Sequence, residues 1–340
     1  MTGVYYWDGW WSMEGNDLRP KSGNKLSRLM DEFPDREPEW GWVASGVENM
    51  EQQIKTASEA KLDFFAFDWY YPEINEKYSP MNDCVDYFIQ AKNNDKMRFC
   101  LLVANHQGFL LFRKDWETVV KLWIPYLKNE RAVKIGNRPL IIFFADLKET
   151  LGSSKIVREC TDYLRKKVKE AGLDDVFIAL CMYPDPDPIN AKIKYELAQV
   201  EGFDGLTGYN YIQGYYYKGN EPYIHSYEEL VNYHISGWDI ISNASPLKYM
   251  PVVTCGWDAR PRESPGSNEG RSWYYPDRTP KQVYEFTAAA RTWVENNPSK
   301  TVDEKIILIY AWNEYGEGGF LAPTLGDQGA YLDAVKRAIK

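Results

Sequence analysis

The chain has 340 residues, a formal net charge of −9 and no basic block, which excludes nucleic acid and anionic membrane surfaces as partners. No stretch approaches the length of about 18 consecutive apolar residues that a membrane span needs. The five cysteines (Cys84, Cys100, Cys160, Cys181, Cys255) are odd in number and scattered. The three histidines (His106, His225, His234) show no HExxH or CxxC spacing. A disulfide framework, a structural metal site and a cofactor are therefore not expected.

Apolar runs of strand length recur along the chain. They are Val4–Trp7, Phe64–Phe67, Phe99–Val103, Leu140–Phe144, Phe177–Leu180, the shorter Gly205–Thr207, Pro251–Thr254 and Ile306–Tyr310. Segments with helical spacing and charged faces lie between them: Val47–Ala60, Asp83–Asn93, Trp116–Lys128, Ser154–Ala171, Asn190–Val200, Tyr227–Ile241, Pro280–Asn296 and Gly329–Ile339. Pro280 suits a first helical turn with Thr279 as its cap. Strands alternating with helices imply a parallel sheet, and about eight repeats without a linker predict one α/β domain over residues 1–340. The expected fold is a single (β/α)8 TIM barrel with long βα loops on its C-terminal face. Those loops are Trp10–Ser45, Gln213–Ser226 (with Tyr215, Tyr216, Tyr217 and Tyr223) and Asp258–Thr279 (with Arg260, Arg262, Arg271, Trp273, Tyr274 and Tyr275).

In such a barrel the site lies where the strands exit. The exits here are rich in polar and aromatic groups, and the opposite strand ends are not. They carry Trp7, Asp8, Trp10 and Trp11; Asp68, Trp69 and Tyr70; Asn105 and His106; Asp146; Tyr183 and Asp185; Tyr209, Asn210 and Tyr211; Trp257, Asp258 and Arg260; Trp312 and Asn313. Aromatic residues are 15% of the chain, with 13 Trp and 25 Tyr, and a surplus at strand exits suits the flat C–H faces of sugar rings. Bland readings compete at each position. Asp68 also reads as a cap or an arginine partner, His106 as a structural histidine, and Arg260 and Arg262 as ion-pair donors to site carboxylates.

The segment after the last strand carries the chemistry. Ala311–Gly319 reads AWNEYGEGG, with Glu314 and Glu317 wrapped in aromatic residues, an amide and glycines. Partial burial and mutual repulsion would push their pKa values apart, one toward an acid and one toward a base. Paired carboxylates of this kind cleave glycosidic bonds. We read Glu314 and Glu317 as the catalytic pair, with the exit residues named above as binders of an oligo- or polysaccharide.

AWNEYGEGGFLAP at Ala311–Pro323, GWDARPR at Gly256–Arg262, DFFAFDWYYP at Asp63–Pro72 and VYYWDGW at Val4–Trp10 resemble segments of the glycoside hydrolase family 99-like proteins, including the WbsX-like group. The resemblance spans nearly the whole chain. It implies a (β/α)8 barrel and endo-acting, retaining cleavage of α-linked glycans, mannan-like or another microbial polysaccharide. It further implies that Glu314 acts as base on the sugar's own 2-hydroxyl, forming a 1,2-anhydro sugar, and that Glu317 is the general acid/base. Tyr209 or Tyr211 would supply a tyrosine beside the pair. Ala322 stands where WbsX-like members often carry an acidic residue. Two alternatives are a WbsX-like glycosyltransferase-type enzyme of surface polysaccharide metabolism and a barrel that binds glycan without cutting it. No P-loop and no GxGxxG after a strand accompanies the transferase reading. Met1 leads at once into a strand without a visible secretory signal. The glycan reading points to a periplasmic or extracellular protein with its signal removed, while the odd cysteine count also fits the cytoplasm.

Overall fold

The computed structural model describes residues 1–10, 12–13, 16–17, 27–42, 45–71, 80–144, 146–212, 223–262 and 273–340. Trp11, Tyr215, Tyr216, Tyr217 and Arg271 lie outside these residues. Within them, β1 (Thr2–Tyr6), β2 (Phe64–Tyr70), β3 (Arg98–Ala104), β4 (Arg138–Phe143), β5 (Phe177–Cys181), β6 (Gly205–Thr207), β7 (in two pieces, Lys248–Tyr249 and Val252–Thr254) and β8 (Ile307–Tyr310) form one parallel sheet. Sequential strands pair side by side from β1 to β6, and β8 returns to pair with β1, Gly3 opposite Leu308.

The two pieces of β7 close the ring. Lys248–Tyr249 pairs with β6, and Val252–Thr254 pairs with β8. Pro251 lies between them and has no N–H to give a ladder, so the strand changes partner there. The main chain stays satisfied through the change: Met250 N donates to Leu206 O (2.9 Å) and Leu308 N to Pro251 O (3.0 Å). The sheet is thus the barrel the alternating pattern predicts. All seven residues of β2 are buried, as a strand covered on both faces requires.

The connecting helices are α1 (Val47–Glu59), α2 (Asp83–Gln90), α3 (Trp116–Lys128), α4 (Ser154–Glu170), α5 (Pro188–Val200), α6 (Tyr227–Ala244), α7 (Pro280–Asn296) and α8 (Ala330–Ala338). Thr279 and Gln282 form a reciprocal capping box at the start of α7, with Pro280 in its first turn. Helix α5 starts two residues before the apolar periodicity places it. The Asp187 side chain accepts from the N–H groups of Ile189 and Asn190, and Pro188 is pre-set for the first turn. All five cysteines are free thiols. No helix among the described residues is long and apolar enough to cross a membrane.

Strand alternation sorts the exit residues. Tyr5 points into the barrel, where its hydroxyl donates to Gly208 O (2.7 Å) and its ring meets Tyr209. Tyr6 points outward against Phe65, Phe67 and Cys84.

Candidate active site

After β8 the chain turns into a small hairpin. Asn313–Glu314 pairs antiparallel with Gly319–Phe320, and one helical turn, Tyr315–Glu317, joins them. This hairpin places both glutamates over the C-terminal mouth of the barrel. Gly318 closes it with a left-handed backbone, φ +73°. A Cβ there would also stand 2.8 Å from the backbone N of Asp258. That nitrogen donates to Glu317 O at 2.6 Å, so the segment after β7 clamps the hairpin. Gly318→Ala is expected to destabilise the fold by roughly 1–3 kcal/mol, since both the φ and the space are wrong. Thermal melts beside activity assays check this, and an unchanged melting temperature with full activity contradicts it.

The two glutamates share one guanidinium. Arg262 Nη2 donates to Glu314 Oε2 (3.2 Å), and Arg262 Nη1 bonds Glu317 Oε1. Tyr310, the last residue of β8, gives its hydroxyl to Glu317 Oε2. Tyr209 gives its hydroxyl toward both Asp68 Oδ2 (2.9 Å) and Glu314 Oε1 (3.2 Å). Two carboxyl groups therefore share one cation, and Asp68 joins them through the Tyr209 hydroxyl. Burial, and next the charge of Glu317, push Glu314 up to about 8, against the opposing pull of Arg262 and Tyr209. Burial and then the charge of Glu314 likewise raise Asp68 well above the usual carboxylate range. The Arg262 guanidinium also lies over the Trp7 ring, 5.1 Å from its centre.

A cavity of 630 Å³ opens above this cluster, lined by Trp7, Asp68, Tyr70, His106, Tyr209, Arg262, Glu314 and Glu317 together with Phe109 and Phe144. A second cavity of 510 Å³ lies on the far side of Glu317, lined by Phe144, Tyr183, Tyr209, Asn210, Ile212 and Trp257. Glu317, Tyr209 and Phe144 belong to both. The cleft thus passes across Glu317, and Glu314 lines its first part.

The structure does not bring the remaining exit residues to the cleft. Asp8 lies at the start of α2, where Oδ2 accepts from Cys84 N (2.8 Å), and burial pushes its carboxyl up to about 7. Trp10 donates from its indole to Asn313 O (2.9 Å) and packs on Trp42 and Tyr315. Trp69 faces outward onto Trp123. Asn105 holds its own loop, accepting from Leu111 N (2.9 Å) and reaching Thr150 Oγ1 (3.2 Å). Tyr211 is buried against His234, with its hydroxyl 2.8 Å from that of Tyr249. The tyrosine beside the pair is Tyr209.

Asp258 is clasped by Arg36 (2.5 Å) and by both ends of the Arg260 fork (2.7 Å each), beneath the hairpin. Trp312 is fully buried behind the site and donates to Gln53 Oε1 of α1 (2.8 Å). Asn313 exchanges two hydrogen bonds with the Trp7 backbone, accepting from N (2.9 Å) and donating to O (2.8 Å). Those residues hold the framework that aims Trp7 and the glutamates.

Arg262 and Tyr310 are the contributors that sequence reasoning did not name as site residues. Tyr310 shares strand parity with Leu308 and ends an apolar run, so it reads as core until the hairpin returns Glu317 to its hydroxyl. Arg262 appears in the sequence only as an ion-pair donor, and its acceptors are the two glutamates themselves. No group of three or more His, Cys, Asp or Glu side chains suited to a metal occurs among the described residues.

Among solved structures, the barrel is similar to a glycoside hydrolase-like protein (TM-score 0.68, 15% identity, covering 100% of this chain and 93% of that one). It is also similar to the GH99 endo-alpha-mannosidase from Bacteroides thetaiotaomicron (TM-score 0.65, 13% identity, covering 99% of this chain and 96% of that one). At these identities the likeness is one of fold. The uncharacterized protein WxcX of Xanthomonas campestris pv. campestris (strain B100) is 24% identical over 228 residues, 63% of this chain. The match spans 28% of that relative's length. Residues 42–335 match the family model described as Glycosyltransferase WbsX, and by that match the chain belongs to the WbsX family.

Proposed function

We propose that the protein is a glycoside hydrolase that cuts α-linked glycans within the chain and retains the anomeric configuration. The observation that carries this reading is the Glu314–Arg262–Glu317 cluster on the floor of a cleft that continues on both sides of Glu317. A glycan lying across the cleft would present an internal linkage to the two carboxyls. Aromatic walls at Trp7, Tyr70, Tyr183 and Trp257 suit sugar rings.

In the first step Glu314 takes the proton of the 2-hydroxyl, and that oxygen attacks the anomeric carbon. The glycosidic C–O bond breaks as Glu317 gives its proton to the leaving oxygen, and a 1,2-anhydro sugar remains. In the second step Glu317 takes a proton from water. The water oxygen attacks the anomeric carbon, the ring of the anhydro sugar opens, and Glu314 returns the proton to the 2-oxygen. Two inversions give net retention. A carboxylate raised to about 8 is a stronger base than an ordinary one and is poised near the working pH.

Turnover needs Glu314 ionised while Glu317 keeps its proton, so kcat/KM is bell-shaped in pH. Because the charge of Glu317 helps to raise Glu314, the two limbs belong to the pair and not to either residue.

The family description favours a second reading, sugar transfer. An Asp-x-Asp triplet of the kind that can serve such enzymes is present at Asp185–Asp187, but its carboxylates are used locally. Asp185 Oδ1 accepts from Asp187 N (3.1 Å), and Asp187 caps α5. A panel of α-mannans, bacterial polysaccharides and sugar nucleotides separates the readings. Release of oligosaccharides supports hydrolysis. Consumption of a sugar nucleotide overturns it in favour of transfer, and tight glycan binding without any product overturns it in favour of a binding barrel.

A further inference from the structure

A third cavity, of 240 Å³, adjoins the cleft between the exits of β4 and β5 and helix α5. Phe144 and Tyr209 line it as well as both parts of the cleft, so these two rings form part of the wall between it and the acid pair. One face of α5 and its C-terminal end supplies Lys194, Leu197, Ala198 and Glu201, at the i, i+3, i+4, i+7 spacing that aligns side chains along a helix. Leu180 and Met182 add to the apolar floor.

Two polar groups here have bonding capacity left over. Glu201 is 3% exposed, and its Oε1 accepts no hydrogen bond among the described residues, although its carboxyl interacts with Ser154 and Lys148. Lys194 is half-buried at the same cavity and makes no ion pair or hydrogen bond among the described residues. Lys148, the other ammonium in the lining, is already paired with Asp146 at 3.1 Å. A barrel-facing helix stripe serving only the core would carry apolar residues at these positions. Instead one acceptor and one donor flank an apolar floor, in a space that suits a small substituent.

We propose that this cavity receives the N-acyl group of an amino sugar next to the scissile linkage. The acyl methyl would lie on Leu180, Met182, Leu197 and Ala198. The amide carbonyl would accept from the Lys194 ammonium, and the amide N–H would donate to the Glu201 carboxyl. The sugar ring would occupy the part of the cleft lined by Tyr183 and Trp257, which shares Phe144, Tyr183 and Tyr209 with the cavity. This names the substrate class for the hydrolase reading and rests on it, but the binding it requires is measurable without turnover.

The test is saturation-transfer NMR with affinity titration on the full chain. The probes are N-acetylglucosamine, N-acetylgalactosamine and N-acetylmannosamine, beside glucose, galactose, mannose and fucose. At least one N-acetyl sugar should bind about fivefold or more tighter than its parent hexose, with the acetyl methyl most strongly saturated. Lys194→Met removes the donor and Leu197→Trp fills the floor, and each should abolish the preference while circular dichroism and melting temperature stay at wild-type values. Equal binding of acetylated and parent sugars overturns the proposal, as does a preference that survives both variants. Fucose binding as tightly as the N-acetyl sugars overturns the roles of Lys194 and Glu201, since it offers a methyl without an amide. Absence of cleavage on every glycan, with the N-acetyl preference intact, removes the hydrolase reading and leaves the site standing.

Discussion

Glu314→Gln and Glu317→Gln each lower turnover by about 10²–10⁴-fold, the range that a positioned acid or base supplies. Each carboxyl takes its two bonds on different oxygens, Glu314 from Tyr209 and Arg262 and Glu317 from Tyr310 and Arg262. Glutamine keeps the size of the side chain and one oxygen for the guanidinium, and its NH2 can donate to the tyrosine oxygen once that hydroxyl turns. The loss therefore reads as proton transfer and not as collapse of the fold. Stability gives an independent check. The folded-state pKa of Glu314 lies above its unfolded value, so its contribution is complete below the unfolded pKa and is lost as pH rises through about 8. Wild type should lose stability over that window, and Glu314→Gln should lose less. Denaturant titrations at several pH values measure both curves. Full activity in both variants would end the catalytic assignment.

Arg262→Met is the second large effect. Arg262 is the cation shared by both glutamates, and it opposes the rise of the Glu314 pKa. Its removal leaves the two carboxyls facing each other, so Glu314 holds its proton to higher pH. A neighbouring opposite charge commonly moves a carboxyl by about 1–3 units, so activity near neutrality should fall by about 10–10³-fold. The rising limb of the pH–rate profile should move to higher pH and recover part of the loss there. Arg262→Lys keeps the charge without the two-pronged fork, and should fall between wild type and Arg262→Met. An unshifted profile in Arg262→Met would mean that the guanidinium does not set the protonation of the pair.

The barrel was legible because its strands are buried on both faces and its helices on one. The two patterns alternate in the sequence without interruption. The polar ring at the strand exits was legible for the same reason, since carboxylates and amides directly after apolar runs need an explanation. The direction of each exit residue was not legible. Strand parity ends where the strand ends, and beyond it single backbone turns decide. Trp312 and Glu314 are two residues apart, yet one packs behind the barrel on Gln53 and the other enters the cleft. Asp8 and Asp68 both follow apolar strands, but the N-terminus of α2 captures Asp8, while Asp68 stays over the barrel mouth with Tyr209. The split of β7 at Pro251 was hidden because a short apolar run reads the same whether it has one partner or two in succession. Arg262 was ambiguous for a different reason, because an arginine after a strand gives no sign of which carboxylates lie across the fold from it.

The most direct measurement is time-resolved proton NMR of the first product released from whichever α-glycan of the panel is cut. The account predicts that the new reducing end appears first in the α configuration and only later mutarotates. It also predicts that neither Glu314→Gln nor Glu317→Gln releases it at a comparable rate. A β-configured first product, or release at the wild-type rate by either variant, would contradict the division of labour proposed for Glu314 and Glu317.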